Sequence, residues 1–122
     1  MKATEIMMGD RLAYKGQYAA FDFRVEQVTR HKIGYHAEPN ESRMHYLRLN
    51  ECNPIPLTAE ILERNRIRYQ YGMPWYQGGA DGVFEFRYRS DDGSTQVQVP
   101  VRYVHELQHA LRLCGIEKYI EL

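Results

Sequence analysis

The chain has 122 residues, of which 16 are Lys or Arg and 16 are Asp or Glu, so its formal net charge is zero. This length predicts a single domain with a modest core, and the neutral balance argues against a general nucleic-acid or membrane binder, although it allows a local charged patch. No apolar run approaches the length of a membrane span, and two cysteines without a secretion signal are typical of free thiols in a reducing cytoplasm.

Aromatic residues are numerous for this length, with ten Tyr, four Phe and one Trp. Aromatic side chains favour strands, where they pack across a pleated surface. They are also favoured at interfaces, because a tyrosine offers both apolar area and a polar tip. The composition therefore predicts a β-rich domain that contacts a partner.

Residues 1–50 predict four or five short strands joined by tight turns. Phe21, Phe23 and Val25 alternate with polar residues at the period of a strand. Further strand patterns lie at residues 11–14, 27–30, 33–35 and 44–49, the last with Met44, Tyr46 and Arg48 on one face. This spacing is typical of a small curled sheet or an SH3-like barrel.

The second half predicts a short helix and then a three-stranded antiparallel meander. Thr58 has the side chain of a helix N-cap, and Asn65 is suited to the left-handed conformation that ends a helix. Alternating apolar residues then mark three strands, at Ile67, Tyr69 and Tyr71, at Phe84, Phe86 and Tyr88, and at Val97, Val99 and Val101. The turn sequence at residues 91–94 predicts a hairpin between the last two.

An amphipathic helix is predicted over residues 102–114. Val104, Leu107, Leu111 and Cys114 follow the three-four spacing of one buried stripe, which can cover the apolar face of the meander. The predicted fold is therefore α+β, with one domain over residues 1–122. Its two sub-parts are a barrel-like half at 1–53 and a half at 54–122 that holds helix, meander and C-terminal helix.

The C-terminal helix contains His-Glu-x-x-His, the zinc signature of many metallopeptidases. His105 and His109 would lie one turn apart, and Glu106 could activate a zinc-bound water. A catalytic zinc needs a third protein ligand, however, and only Glu117 and Glu121 follow, beyond the predicted helix end at Gly115. We therefore reject His105 and His109 as metal ligands and expect an accidental match on a helix whose two His are exposed.

Three segments together resemble a known group of proteins. Residues 1–10 resemble an M-K-A-x-E-L-R-I-G-N/D start, residues 53–62 a central I-P-L-T-E-E-x-L motif, and residues 103–109 a Y-V-H-Q-L-Q-N motif near the end. These motifs are similar to those of small uncharacterised proteins from gut Bacteroidetes and their prophages and mobile elements.

The resemblance implies a bacterial cytoplasm and a phage or mobile-element origin, and no established activity, substrate or cofactor. In the resembling pattern the position of Glu106 is commonly Gln and that of His109 commonly Asn. A group built on zinc hydrolysis needs both residues. The resemblance therefore implies that the zinc signature is accidental.

Three functions are compatible with the sequence. The first is a non-enzymatic interaction module whose polar sheet face carries Arg66, Arg68, Arg87 and Arg89. These side chains could bind a protein or an anionic ligand, with nucleic acid as a narrower version. The second is the zinc-dependent hydrolase, and the third is a cysteine enzyme based on Cys114. The pattern indicates no cofactor, no membrane contact and no particular oligomeric state.

Overall fold

Helices and antiparallel strands are both present in this computed structural model, which describes residues 2–17, 19–67, 75–77, 82–89, 92–94, 96–116 and 120–122. The chain divides into two compact units, Met1–Ile55 and Pro56–Leu122, called the first and second unit below. Their boundary lies close to the division predicted after residue 53. The predicted α+β class is confirmed.

Residues 2–17 and 19–55 of the first unit contain six strands in two antiparallel sheets. The strands are β1 Arg11–Lys15, β2 Ala20–Arg24, β3 Gln27–Val28, β4 Lys32–Tyr35, β5 His45–Arg48 and β6 Cys52–Pro54. The first sheet has the order β2-β1-β6, and the second sheet has the order β3-β4-β5. Short 3-10 turns occupy Ala3–Glu5 and Leu49–Glu51.

The chain passes from the first sheet to the second within two residues. The Val25 N–H donates to the Asp10 carbonyl at 2.8 Å, and the Val25 carbonyl accepts from Gly9 N–H at 2.6 Å. The next N–H, of Glu26, donates to the Gly34 carbonyl of the second sheet at 2.9 Å. One extended segment therefore changes sheets between Val25 and Glu26.

The core of the first unit lies on the inner faces of these strands. Its buried members are Ile6, Leu12, Phe23, Val25, Ile33 and Cys52. Alternation places Phe23 and Val25 inside, as predicted, whereas Phe21 is 38% exposed because it lies near the start of β2. Burial of these side chains is the main favourable term in the stability of the unit.

The barrel predicted for this half is not closed within residues 2–17 and 19–55. Its strands form two separate three-stranded sheets. The 3-10 turn Leu49–Glu51 separates β5 from β6, and β6 then pairs with β1 instead of extending the second sheet. Strand β6 was not predicted, because Pro54 lacks an N–H and proline is tolerated only at sheet edges.

The second unit begins with a capped helix and contains the predicted meander. Helix α1 spans Ala59–Arg64, and the Thr58 hydroxyl oxygen accepts a hydrogen bond from Ile61 N–H at 3.2 Å, as the cap prediction requires. The meander consists of β7 Trp75–Gln77, β8 Phe84–Arg89 and β9 Gln96–Val101, in that order.

The described part of the first meander strand, Trp75–Gln77, lies later in the chain than the predicted strand. Arg66 occupies the turn after α1 with φ 52°, and Ile67 is helical and fully buried. The rest of the predicted strand, residues 68–71, lies outside the described residues. The left-handed residue that follows the helix is Arg66 and not Asn65, whose φ is −88°.

Helix α2 spans Val104–Leu113 and ends as predicted at Gly115. Gly115 has φ 75°, and its N–H donates to the Arg112 carbonyl at 3.0 Å while Ile116 N–H donates to the Leu111 carbonyl at 2.9 Å. This pair of hydrogen bonds is the Schellman arrangement, which requires a left-handed residue and therefore favours glycine. Leu107 and Leu111 are 0% and 1% exposed, which confirms them as core residues.

In the described part of the chain, neither helix combines the length and the apolar character that crossing a lipid bilayer requires.

Candidate functional site

Glu106, the acidic residue of the His-Glu-x-x-His sequence, caps its own helix. Its Oε1 accepts hydrogen bonds from the backbone N–H groups of Arg102, at 2.9 Å, and Tyr103, at 3.0 Å. A carboxylate in the first turn also interacts favourably with the helix dipole. The carboxylate that a zinc hydrolase would need as its base therefore has a structural role here.

His105 is buried, which corrects the prediction that it is exposed. It is 6% exposed, and its ring stacks on that of Tyr103 with centroids 5.9 Å apart and planes 16° apart. His109 is partly exposed, and its ring meets that of His105 edge-on at 5.6 Å. The buried surface of α2 is wider than one stripe, since its buried residues are Val104, His105, Leu107, Gln108, Ala110 and Leu111.

Among the described residues, no three His, Cys, Asp or Glu side chains come together as a group that could hold a metal ion. Of the two acidic residues considered as third ligands, Glu117 lies outside the described residues. Glu121 is exposed, and its backbone is hydrogen-bonded to Asn65. The absence of a zinc site stays a prediction, supported by the role of Glu106.

Neither cysteine has the environment of a reactive thiol. Burial, followed by the nearby charge of Glu51, raises the pKa of Cys52 to about 11. Burial also raises the pKa of Cys114. Because the thiolate is the nucleophile, a raised pKa lowers reactivity at neutral pH, which argues against the cysteine-enzyme hypothesis.

The four arginines proposed as a binding face are only partly described. Arg66 lies in the turn after α1, and Arg87 is exposed on β8. The backbone of Arg89 continues β8, whereas its side chain and the whole of Arg68 lie outside what the structure describes. Their assembly into one patch therefore stays a prediction.

A better-defined surface is the outward face of the second sheet, formed by Gln27, Lys32, Gly34, Tyr46 and Arg48. The antiparallel register places Lys32 opposite Arg48, and Gly34 opposite both Tyr46 and Gln27. Residues directly opposite each other in a sheet project from the same side. The intervening Ile33 is fully buried on the other side, so this face points away from the core.

Tyr46 lies across the centre of the outward face. Its hydroxyl donates to Gln27 Oε1 at 3.2 Å, a contact that spans the strand carrying Gly34. A Cβ at Gly34 would stand 3.0 Å from Met44 Sδ and 3.1 Å from Gln27 Cβ, so the missing side chain makes room for these neighbours. Tyr46 is nevertheless 53% exposed, which leaves part of its ring available to a ligand.

The cationic end of the outward face begins two residues from Tyr46. Lys32 and Arg48 are both exposed and border a cavity of about 340 Å³, which is also lined by His31, Leu49 and Asn50. Glu51 Oε1 accepts a hydrogen bond from the backbone N–H of Arg48 at 2.9 Å, but no carboxylate of the described residues forms an ion pair with the side chain of Lys32 or Arg48. Within the described part of the chain, these two cations therefore have no ion-pair partner.

The turn that leads into Lys32 is held by hydrogen bonds. The Thr29 N–H donates to the Lys32 carbonyl at 2.9 Å, and the Lys32 N–H donates to the Thr29 hydroxyl oxygen at 3.0 Å. The backbone of His31 contacts the 3-10 turn after β5, because its carbonyl accepts a hydrogen bond from Leu49 N–H at 3.1 Å. His31 and Lys32 thus project from a backbone held by hydrogen bonds.

The sequence contains a signal for this site that strand alternation alone does not reveal. From residue 27 to residue 37 the chain has Arg30, His31, Lys32 and His36 and no Asp or Glu. The face shared by Met44, Tyr46 and Arg48 was predicted, but the pairing of β5 with β4 was not. Only the register of β4 with β5 brings Lys32 of this basic segment opposite Arg48.

A second groove, of about 250 Å³, lies on the aromatic side of the first unit. Phe21, Phe23 and Tyr35 line it, together with Asp22, His36 and Ala37. The rings of Phe21 and Phe23 both contact that of Tyr35, at centroid distances of 5.7 Å and 5.0 Å. Asp22 is ion-paired with Arg11. These rings pack against one another, so the groove is largely an extension of the core.

No known protein family, no curated protein and no solved structure matches the chain.

Proposed function

We propose that the protein is a non-enzymatic binding module that holds a phosphate-bearing ligand on the outward face of the second sheet. The observation that carries the proposal is the direct opposition of Lys32 and Arg48 across β4 and β5. Like charges in opposing positions destabilise a sheet. An oxyanion between them converts that repulsion into two attractions.

The two side chains suit this ligand in different ways. The guanidinium of Arg48 offers a planar fork that matches two phosphate oxygens, whereas Lys32 supplies a compact charge. His31 lines the same cavity and can add a donor. The sequence predicts an unknown protein or anionic ligand, and the proposal specifies a ligand that carries phosphate.

The non-enzymatic part of the proposal is supported by the groups that would otherwise suggest catalysis. Glu106 is bound to two backbone N–H groups, and both cysteines have raised pKa values. A cytoplasmic setting and a mobile-element origin belong to the same proposal. They are supported by two free cysteines and by the motifs at residues 1–10, 53–62 and 103–109.

The test is a titration of the protein with sodium tripolyphosphate, followed by heteronuclear NMR at low salt. We expect the largest shifts at the amides of His31, Lys32 and Arg48, and weaker binding as salt is added. The double variant Lys32→Glu/Arg48→Glu should weaken binding by about tenfold or more, since charged hydrogen bonds are lost.

Two further double variants make the test specific. Lys15→Glu/Arg24→Glu changes the net charge equally at two exposed residues of the first sheet and should leave binding nearly intact. Arg68→Glu/Arg87→Glu tests the arginine face. If only this last variant abolishes binding, or if tripolyphosphate does not bind at all, the proposed site is wrong.

A further inference from the structure

We infer that the phosphate-bearing ligand is a single-stranded nucleic acid, with Tyr46 stacking on a base while Lys32 and Arg48 hold a neighbouring phosphate. The inference rests on the proposed function, since it uses the same two cations. The inference adds Tyr46 as an aromatic stacking surface. The ligand must therefore carry an aromatic ring as well as a phosphate. Sequence-tolerant recognition of single strands combines these two elements.

The spacing on the outward face fits such a ligand. Tyr46 and Arg48 are two residues apart on β5, which places them about 7 Å apart along the strand and on the same side. Lys32 stands directly opposite Arg48. A base over Tyr46 therefore has its backbone within reach of both cations.

A hydrogen bond restrains the Tyr46 side chain before a ligand arrives. Its hydroxyl is bound to Gln27, and Gly34, opposite it on β4, has no side chain to displace it. Tyr46 is not part of the core cluster of the first unit, where Tyr14 and Tyr35 pack. A restrained, half-exposed ring loses little conformational entropy when a base stacks on it.

A single strand suits this face better than a duplex or an acidic peptide. The bases of a duplex are stacked on one another, so a duplex offers Lys32 and Arg48 its phosphates but offers Tyr46 no free base. An acidic peptide likewise matches the cations and gives the ring no planar partner. The neutral net charge of the chain fits local binding and not a general affinity for polyanions.

The test is fluorescence anisotropy with a short fluorescein-labelled oligothymidylate at low salt. We expect Tyr46→Ala to weaken binding by about fivefold or more, the loss of one stacked base. Tyr46→Phe keeps the ring and should retain most of the affinity. Lys32→Glu/Arg48→Glu should abolish binding, whereas Lys15→Glu/Arg24→Glu should not.

Competitors of matched length distinguish the ligands. Unlabelled oligothymidylate and oligouridylate should displace the probe, and their relative strength tells DNA from RNA. An abasic deoxyribose-phosphate chain, a duplex and poly-glutamate should compete at least about fivefold less well. Equal competition by any of these three, or unchanged binding by Tyr46→Ala, overturns the inference.

The outcome for this inference is separate from that for the proposed function. If tripolyphosphate binds at Lys32 and Arg48 but Tyr46→Ala has no effect on oligonucleotide binding, the phosphate site stands and the nucleic-acid assignment fails. If neither tripolyphosphate nor oligothymidylate binds, both fail. Circular dichroism of each variant checks that folding is preserved, as expected for substitutions at exposed positions.

Discussion

Asn65 and Glu121, which are 56 residues apart, are joined through the side-chain amide of one and the backbone of the other. Asn65 Nδ2 donates to the Glu121 carbonyl at 2.8 Å, and the Glu121 N–H donates to Asn65 Oδ1 at 2.8 Å. Asn65 Nδ2 also donates to the Ile61 carbonyl at 2.8 Å. The amide therefore fastens the segment after Ile120 to the end of α1.

Replacing Asn65 with Ala should destabilise the protein by about 2 kcal/mol or more. Asn65 is 2% exposed, and its replacement leaves the Ile61 carbonyl and the carbonyl and N–H of Glu121 without these hydrogen bonds. Each buried polar group left unsatisfied costs about 1–3 kcal/mol. Chemical denaturation measures the change, with the exposed Asn50→Ala as control. Equal stability of the two variants would contradict the fastening role.

Truncating Leu107 or Leu111 to Ala should each lower the free energy of unfolding by about 2–5 kcal/mol, through lost burial and a residual cavity. Leu113→Ala is the matched control on the same helix, because Leu113 is 68% exposed. Thermal and urea unfolding of the three variants check the prediction. If Leu113→Ala is as destabilising as the other two, the packing direction of α2 is wrong.

Replacing Glu106 with Ala should destabilise by about 0.5–2 kcal/mol, the usual effect of losing a helix cap. Glu106→Gln should retain most of the stability, since an amide oxygen can still accept from the N–H groups of Arg102 and Tyr103. Urea denaturation of both variants distinguishes them. Equal free energies of unfolding for Glu106→Ala and wild type would contradict the capping role of Glu106.

Elemental analysis of the purified protein provides the control for this interpretation. We expect no stoichiometric zinc. One zinc per chain that disappears in His109→Asn would show that the His-Glu-x-x-His sequence binds metal, and that Glu106 has a role beyond capping.

Stability should fall as the pH rises from about 9 to about 11, in part through Cys52. Folding raises the pKa of Cys52 from 9.0 to about 11, chiefly by burial. In that window the unfolded chain has lost the thiol proton and the folded chain retains it, so increasing pH favours unfolding. Denaturation across this range should show a shallower decline for Cys52→Ala than for wild type. Parallel curves would indicate that Cys52 does not contribute.

Local patterns predicted most of the fold, whereas long-range pairing did not follow from them. The Thr58 cap, the strands Phe84–Arg89 and Gln96–Val101, and the end of α2 at Gly115 depend on neighbouring residues, and each is confirmed. Strand β6 depends on β1, some forty residues earlier, as in the pairing of Ala13 with Asn53. A pattern within one segment contains no information about such a partner.

The candidate site shows the same limit. Each strand of the outward face was predicted, but only the register brings Lys32 to Arg48 and sets Gly34 opposite Tyr46. Likewise, the buried side of α2 was predicted from one apolar stripe. His105 and Gln108 are buried as well, although polar residues at these positions indicate exposure when only the helix itself is considered.

The segment that changes sheets at Val25 also determines how the first unit opens. The Val25 N–H is hydrogen-bonded in one sheet and the next N–H, of Glu26, in the other. Loss of the hydrogen bonds at this junction in either sheet therefore displaces the backbone that forms hydrogen bonds with the other sheet. Amide protons on both sides of this junction should exchange with solvent in one concerted event, so that the two sheets behave as a single cooperative unit despite having separate ladders.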